Sequence, residues 1–219
     1  MTRIKKPTGR ENSKSRSIRS LSRQGPTRDP SQIIIIVCEG EKTEPIYFNN
    51  IRDKKRLHSV NVRIIPNPGS SLLIVKRAID ERKCIPKEEK KDYEVWCVFD
   101  VEQKGHNPSF NEAVQKAKNN GLKLAISNPC FEYWYLLHFE PTSRSFIDCK
   151  DIITQLKVHI KSYQKAISIY PNIEDNTSIA IENANSLRKS SENNWEDFPN
   201  SSTGVDFLVK KITKDRDNK

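Results

Sequence analysis

The stretch IIIIVCEGEKTEP, residues 33–45, sets five β-branched residues in a row, then Cys38, then Glu39 and Gly40, then a knot of charge. A continuous run of this kind is the pattern of a strand buried on both faces, as in a parallel sheet covered by helices on either side. Glu39 stands at the carboxyl end of that strand, where Gly40 beside it permits close backbone approach. Thr43, Glu44 and Pro45 then supply a cap, an acid and a first-turn proline for a helix through about Arg52. A strand running almost directly into a helix predicts a β/α unit.

Working outward, the same alternation recurs. VNVRIIP (60–66) reads as a second strand, and Ser70 and Ser71 open a helix with Leu72, Val75 and Ile79 on one face. YEVWCVFD (93–100) is a third strand ending on Asp100, followed by a helix over NPSFNEAVQKAKNNG (107–121) that Gly121 stops. LKLAIS (122–127) is a fourth strand and FEYWYLLHF (131–139) a short apolar helix. Four such alternations in about 110 residues predict an α/β fold: an open, mainly parallel four-stranded sheet flanked by helices, joined by right-handed crossovers. After Pro141 the pattern turns helical and polar, with helices expected near 149–165, 175–189 and 203–214. The expected organisation is a basic arm over 1–31, an α/β core over 32–141 and a helical extension over 142–219 packed on the core. The amphipathic segments of that extension equally fit self-association into a homo-oligomer or docking of a partner.

With 219 residues and 35% hydrophobic content, the chain has enough apolar material for one main core and is lean for two. Its formal charge of +10 favours polyanionic partners such as nucleic acid. Residues 1–31 hold nine Lys/Arg against two acids, a net +7 of that total, so the remainder is only mildly basic. This segment has almost no apolar residues and is expected to be a disordered arm. A transit peptide is the weaker reading, because the arm lacks an apolar helical face and carries Pro7, Pro26 and Pro30. No window approaches a membrane span and there is no secretory core, so a cytoplasmic location is expected. The five cysteines (Cys38, Cys84, Cys97, Cys130, Cys149) are odd in number and form no C-x-x-C pair. They are expected to be reduced thiols, mostly in the core, rather than a disulfide frame or a structural zinc site.

In an open parallel sheet, ligands bind outside the carboxyl ends of the strands. Glu39 follows the first strand, Asp100 and Glu102 the third, and Ser127 and Glu132 the fourth, so carboxylates from separate segments converge on one edge. Gathered acids repel one another unless a cation neutralises them. An all-oxygen ligand set favours Mg²⁺ or Mn²⁺, and the matching chemistry is metal-assisted hydrolysis or transfer at a phosphodiester. Blander readings stand beside these. Glu41 fits a surface carboxylate, and Glu132 fits a helix N-terminal acid as well as a metal-site residue. His138, on an apolar face, fits a core histidine, while His58, His106 and His159 are scattered with no ligand spacing.

The segments IIIIVCEGEKTEPIYF (33–48), VWCVFDVEQ (95–103) and ISNPCFEYWYLLHF (126–139), in this order, resemble the RloB-like family over about residues 31–140. NSSTGVDFLVKKI (200–212) extends the resemblance more loosely. More distantly, the strand ending in Glu-Gly and the Asp-x-acid after the third strand are similar to the Toprim fold of topoisomerases, primases and overcoming-lysogenization nucleases. That resemblance implies a Toprim-like sheet with Glu39 as general acid/base or metal ligand, Asp100 and Glu102 as Mg²⁺ ligands, Glu44 as an accessory acid and Glu132 as the acid beyond the fourth strand. The spacing departs from the pattern: Ser127 and Glu132 are five apart, Glu44 is five beyond Glu39, and Glu102 stands where Asp is usual. Arg16, Arg19 and Arg23 of the arm, with Lys42 and Lys104 near strand ends, are the candidates for contact with nucleic acid, and Lys104 or Lys123 for a reacting phosphate. The family resemblance implies an antiphage, abortive-infection nuclease acting on DNA or RNA with an AAA- or ABC-type ATPase encoded nearby. GEKTE lacks the first Gly and the Gly-Lys-Ser/Thr ending of a phosphate-binding loop. The alternatives are a non-catalytic nucleic-acid-binding or adaptor module, and a phosphotransferase or nucleotide hydrolase on the same platform.

Overall fold

Strand β1 (Ile33–Cys38) splits its apolar run between two cores, because successive side chains on a strand point to opposite faces. Ile34, Ile36 and Cys38 join one buried cluster, Ile35 and Val37 the other. The computed structural model describes residues 33–57, 62–101, 108–190 and 197–214. After β1 come α1 (Thr43–Lys54), β2 (Val62–Pro66), α2 (Ser71–Lys83), β3 (Tyr93–Asp100), α3 (Pro108–Asn119), β4 (Lys123–Asn128) and α4 (Glu132–Leu136). The rest is α5 (Cys149–His159), α6 (Tyr170–Ile173), α7 (Thr177–Ser190), β5 (Ser202–Thr203) and α8 (Val205–Lys214).

The protein is an α/β fold whose sheet runs β2-β1-β3-β4-β5. β1 lies parallel between β2 and β3, β4 is parallel to β3, and β5 closes the edge antiparallel to β4. Among the described residues the sheet therefore has five strands, where four were expected. Ser202 and Thr203 are too few and too polar to read as a strand, and tertiary contacts place them. Thr203 Oγ1 and Ser127 Oγ share a buried hydrogen bond of 3.0 Å, and Gly204 N donates to Ile126 O at 2.9 Å.

Helices α2 and α3 cover the Ile35/Val37 face with Ile74, Val75, Ala78, Phe110 and Ala113. The opposite face takes α1 and α4 together with the C-terminal helices, of which α8 packs directly on β4; Ile152, Leu156, Ala180, Leu208 and Val209 belong to the same core. Asp206 of α8, fully buried, meets Arg188 of α7 at 2.6 Å and Lys210 at 3.2 Å. Among the described residues no helix is long and apolar enough to cross a membrane.

Three local expectations are corrected. Lys42, not Thr43, stands at the N-cap of α1, and no side chain caps that end. Helix α5 stops at His159 rather than near 165, and the chain beyond it turns so that Tyr163 is buried. Cys130 and Cys149 form a disulfide with Cα atoms 5.6 Å apart. Their separation of 19 residues carries no pairing signal; they meet because Cys130 leads into α4, Cys149 opens α5, and these helices pack together. Cys38 and Cys97 are buried thiols, while Cys84 is exposed.

Candidate acidic site at the carboxyl edge of the sheet

Parallel pairing brings the carboxyl ends of β1, β3 and β4 to one edge. Cys38 lies opposite Val98, so Glu39 continues the ladder and its N–H donates to Val98 O at 2.9 Å. Two residues further on β3, the Asp100 N–H donates to Glu39 Oε2 at 2.9 Å, which ties the two candidate ligands across adjacent strands. Asp100 is opposite Ser127 on β4, and its own carboxylate accepts from the backbone N–H of Phe131. Glu44, in the first turn of α1, is only 5% exposed and accepts from the N–H of Gly40 as well as its own. A Cβ on Gly40 would collide with that carboxylate, so a side chain there must displace Glu44 from its place, and the constraint is one of close approach rather than of a turn.

Glu132 opens α4 and is buried. Its Oε1 accepts from Tyr163 Oη at 3.0 Å and faces Lys165 Nζ at 3.3 Å, while its Oε2 lies 3.1 Å from Cys149 Sγ. The four acids act on one another. Burial raises Asp100 well above the carboxylate range, and the negative charges of Glu44, Glu132 and Glu39 push it further, against the Phe131 N–H. Glu44 is raised chiefly by burial and by Glu132, against its N–H donors and the Lys165 charge. Burial, then Glu44, also holds the Cys38 thiol well above its usual range, so it stays neutral.

An excess of negative charge among poorly solvated carboxylates is an environment that favours a hard divalent cation, and carboxylate oxygens are its preferred donors. The donor chemistry of Glu39, Asp100 and Glu44 fits such an ion. They are looser than a closed cage, because among the described residues only Cys130, Glu132 and Cys149 bring three ligand atoms within 4.8 Å of one another.

Of the residues singled out in the sequence, Glu39, Glu44, Asp100 and Glu132 come together. Glu102, Lys104, Arg16, Arg19 and Arg23 lie outside the described residues. Lys42 is exposed in the turn between β1 and α1, on the same edge. Lys123 is at the opposite end: it starts β4 beside Trp96, so it cannot serve a phosphate at the carboxyl edge. The Ser127 hydroxyl is engaged by Thr203. His138 is a core residue, 1% exposed, its Nδ1 against Trp134 O at 2.9 Å and its pKa lowered by burial to about 4. Sequence reading missed the roles of Tyr163 and Lys165, which it placed at the end of a helix expected near 149–165 and which reach Glu132 from the segment after α5. Cys149 was legible only as a cysteine.

These features define an α/β protein with a mainly parallel sheet and an acidic cluster at its carboxyl edge. The RloB-like protein family model matches residues 34–212, from β1 into α8, and the chain belongs to that family. No curated protein and no solved structure matches it.

Proposed function

We propose that this protein is a Toprim-like, divalent-cation-dependent phosphodiesterase of DNA or RNA, working in antiphage abortive infection with a partner ATPase of the AAA or ABC type. The observation that carries the reading is the link between Glu39 and Asp100 across β1 and β3, 2.9 Å from carboxylate to N–H, inside a cluster that also holds Glu44 and Glu132. Asp100 and Glu39 would hold Mg²⁺ or Mn²⁺, with Glu102 next along the chain from β3. A bound ion supplies neutralisation of charge on a phosphate oxygen. Glu44, whose buried carboxyl holds its proton more tightly than usual, is suited to taking or giving a proton at the reacting oxygen. Lys165 and Lys42 supply positive charge at the rim for the nucleic-acid backbone. The basic arm with Arg16, Arg19 and Arg23 supplies more.

The competing reading is a nucleic-acid-binding or adaptor module whose acids hold a structural ion. It is favoured by the basic arm, nine Lys/Arg against two acids over residues 1–31, which can contact phosphates without any chemistry at the acids. Purified protein, with and without an ATPase encoded beside it, is offered plasmid DNA, single-stranded DNA and tRNA with Mg²⁺ or Mn²⁺. Cleavage that depends on the metal and disappears in both Asp100→Ala and Glu39→Ala supports the enzyme. Equal cutting by both variants would assign the activity elsewhere, and no cutting in any mixture would move the adaptor ahead.

A further inference from the structure

We propose that Cys130, Glu132 and Cys149 form a second site, for a thiophilic divalent cation of the zinc type, closed by the disulfide and opened by its reduction. The three ligand atoms already lie within 4.8 Å of one another, between the starts of two packed helices. Zinc bonds of about 2.3 Å to sulfur and 2.0–2.2 Å to oxygen set tetrahedral ligands about 3.5–3.8 Å apart. Cys149 Sγ and Glu132 Oε2, at 3.1 Å, are within a few tenths of that spacing, and the two bonded sulfurs must separate to reach it.

The placement of Glu132 is the independent observation. Its Oε1 is occupied by Tyr163 Oη at 3.0 Å and Lys165 Nζ at 3.3 Å, while Oε2 faces the Cys149 sulfur. A disulfide sulfur has no hydrogen to donate, so in the oxidised protein this buried oxygen gains nothing from the contact. In the dithiol form the S–H donates to it, and in the metal form sulfur and oxygen become neighbouring ligands. Tyr163 and Lys165 then act as the outer partners that commonly orient a ligating carboxylate. Cys149 is half-buried and the Lys165 side chain is 57% exposed, so the cluster lies close to the surface.

Opening is chemically complete with a phosphine reductant: the S–S bond breaks, two thiols form, and the phosphine takes an oxygen from water to become its oxide. On binding, each thiol loses its proton to buffer and the thiolate takes the metal. The proposal does not depend on the nuclease reading, since it concerns binding alone.

The full-length chain, reduced with a phosphine and desalted, is titrated with Co²⁺ and followed in the near ultraviolet, where sulfur-to-cobalt charge transfer absorbs. A band saturating at one equivalent is expected, abolished in Cys149→Ser and Cys130→Ser, shifted at least tenfold in affinity by Glu132→Gln, and missing from the oxidised chain until it is reduced. In the unmutated chain Zn²⁺ should protect Cys130 and Cys149 from alkylation while the exposed Cys84 still reacts, a readout that holds even where a variant folds poorly. If the reduced chain shows no band and no protection, or if the band survives loss of Cys149, the proposal is wrong and the pair is a structural disulfide only.

Discussion

Replacing Asp100 by Asn separates the role of its charge from the role of its shape. Asn keeps an oxygen that can accept from the Phe131 N–H, and the backbone N–H of residue 100 still donates to Glu39 Oε2. It removes one negative charge from a place where burial and Glu44, Glu132 and Glu39 all disfavour it. Without metal, the variant should therefore melt at the wild-type temperature or above it. With Mg²⁺ or Mn²⁺ at a hundred times its dissociation constant, linkage stabilises the wild type by about 2.7 kcal/mol. For a chain of this size that corresponds to a rise in Tm of about 5–11 °C. Losing a ligand at a cost of about a hundredfold in affinity leaves roughly 0.4 kcal/mol, a shift of about 1 °C. The assay is scanning calorimetry of both proteins with the divalent salt and with NaCl at equal ionic strength. A metal-free variant melting several degrees below wild type, or one responding to Mg²⁺ as wild type does, would refute the assignment of Asp100 as a ligand held under charge repulsion.

Three further outcomes follow from the same structure. Gly40→Ala drives a methyl group into the Glu44 carboxylate and should cost about 1–3 kcal/mol while weakening cation-induced stabilisation; unchanged urea midpoints with and without metal would show that Glu44 is not fixed there. His138, lowered from an ordinary 6.5 to about 4, binds fewer protons folded than unfolded, so its contribution is present above pH 6.5 and lost as pH falls toward 4. Relative to His138→Gln, wild type should lose about 3 kcal/mol between pH 7 and pH 4 in urea unfolding, and a pH-independent difference would overturn the reasoning. Asp206→Asn leaves Arg188 beside an uncharged partner in a buried setting and should cost about 3–5 kcal/mol; a loss below about 1 kcal/mol in chemical denaturation would mean that water reaches the pair.

The parts of the fold written locally in the chain were legible. β3 matches the stretch read as YEVWCVFD to the residue, and β1 the β-branched run with its cysteine, because continuous apolar β-formers ending on an acid leave no competing periodicity. Parallel strands of that kind then put Glu39 and Asp100 on one edge without further information. What depended on distant contacts was not legible. β5 is held by a hydroxyl bond that Ser127 and Thr203 share across 76 residues, whereas in the sequence Thr203 reads as the start of the helix expected near 203–214. Lys165 and Tyr163 read as the last turns of the helix expected near 149–165; α5 instead ends at His159, and only the fold brings them to Glu132. The disulfide is of the same kind: Cys130 and Cys149 are drawn together by the packing of α4 on α5, not by spacing.

Local donors, together with one residue of that distant set, answer why a cluster of four acids folds at all. The N–H groups of Asp100, Phe131 and Gly40 donate to carboxylates, and Lys165 offsets Glu132 from the C-terminal segment. Each of these lowers the cost of a buried charge without neutralising the set, since Asp100 and Glu44 still hold their protons more tightly than ordinary carboxyls. Backbone donors are fixed by the strand ends and the α1 and α4 turns, so they keep the edge intact in the absence of an ion. The negative charge they leave uncompensated is what would draw a divalent cation to this edge, and a phosphate after it.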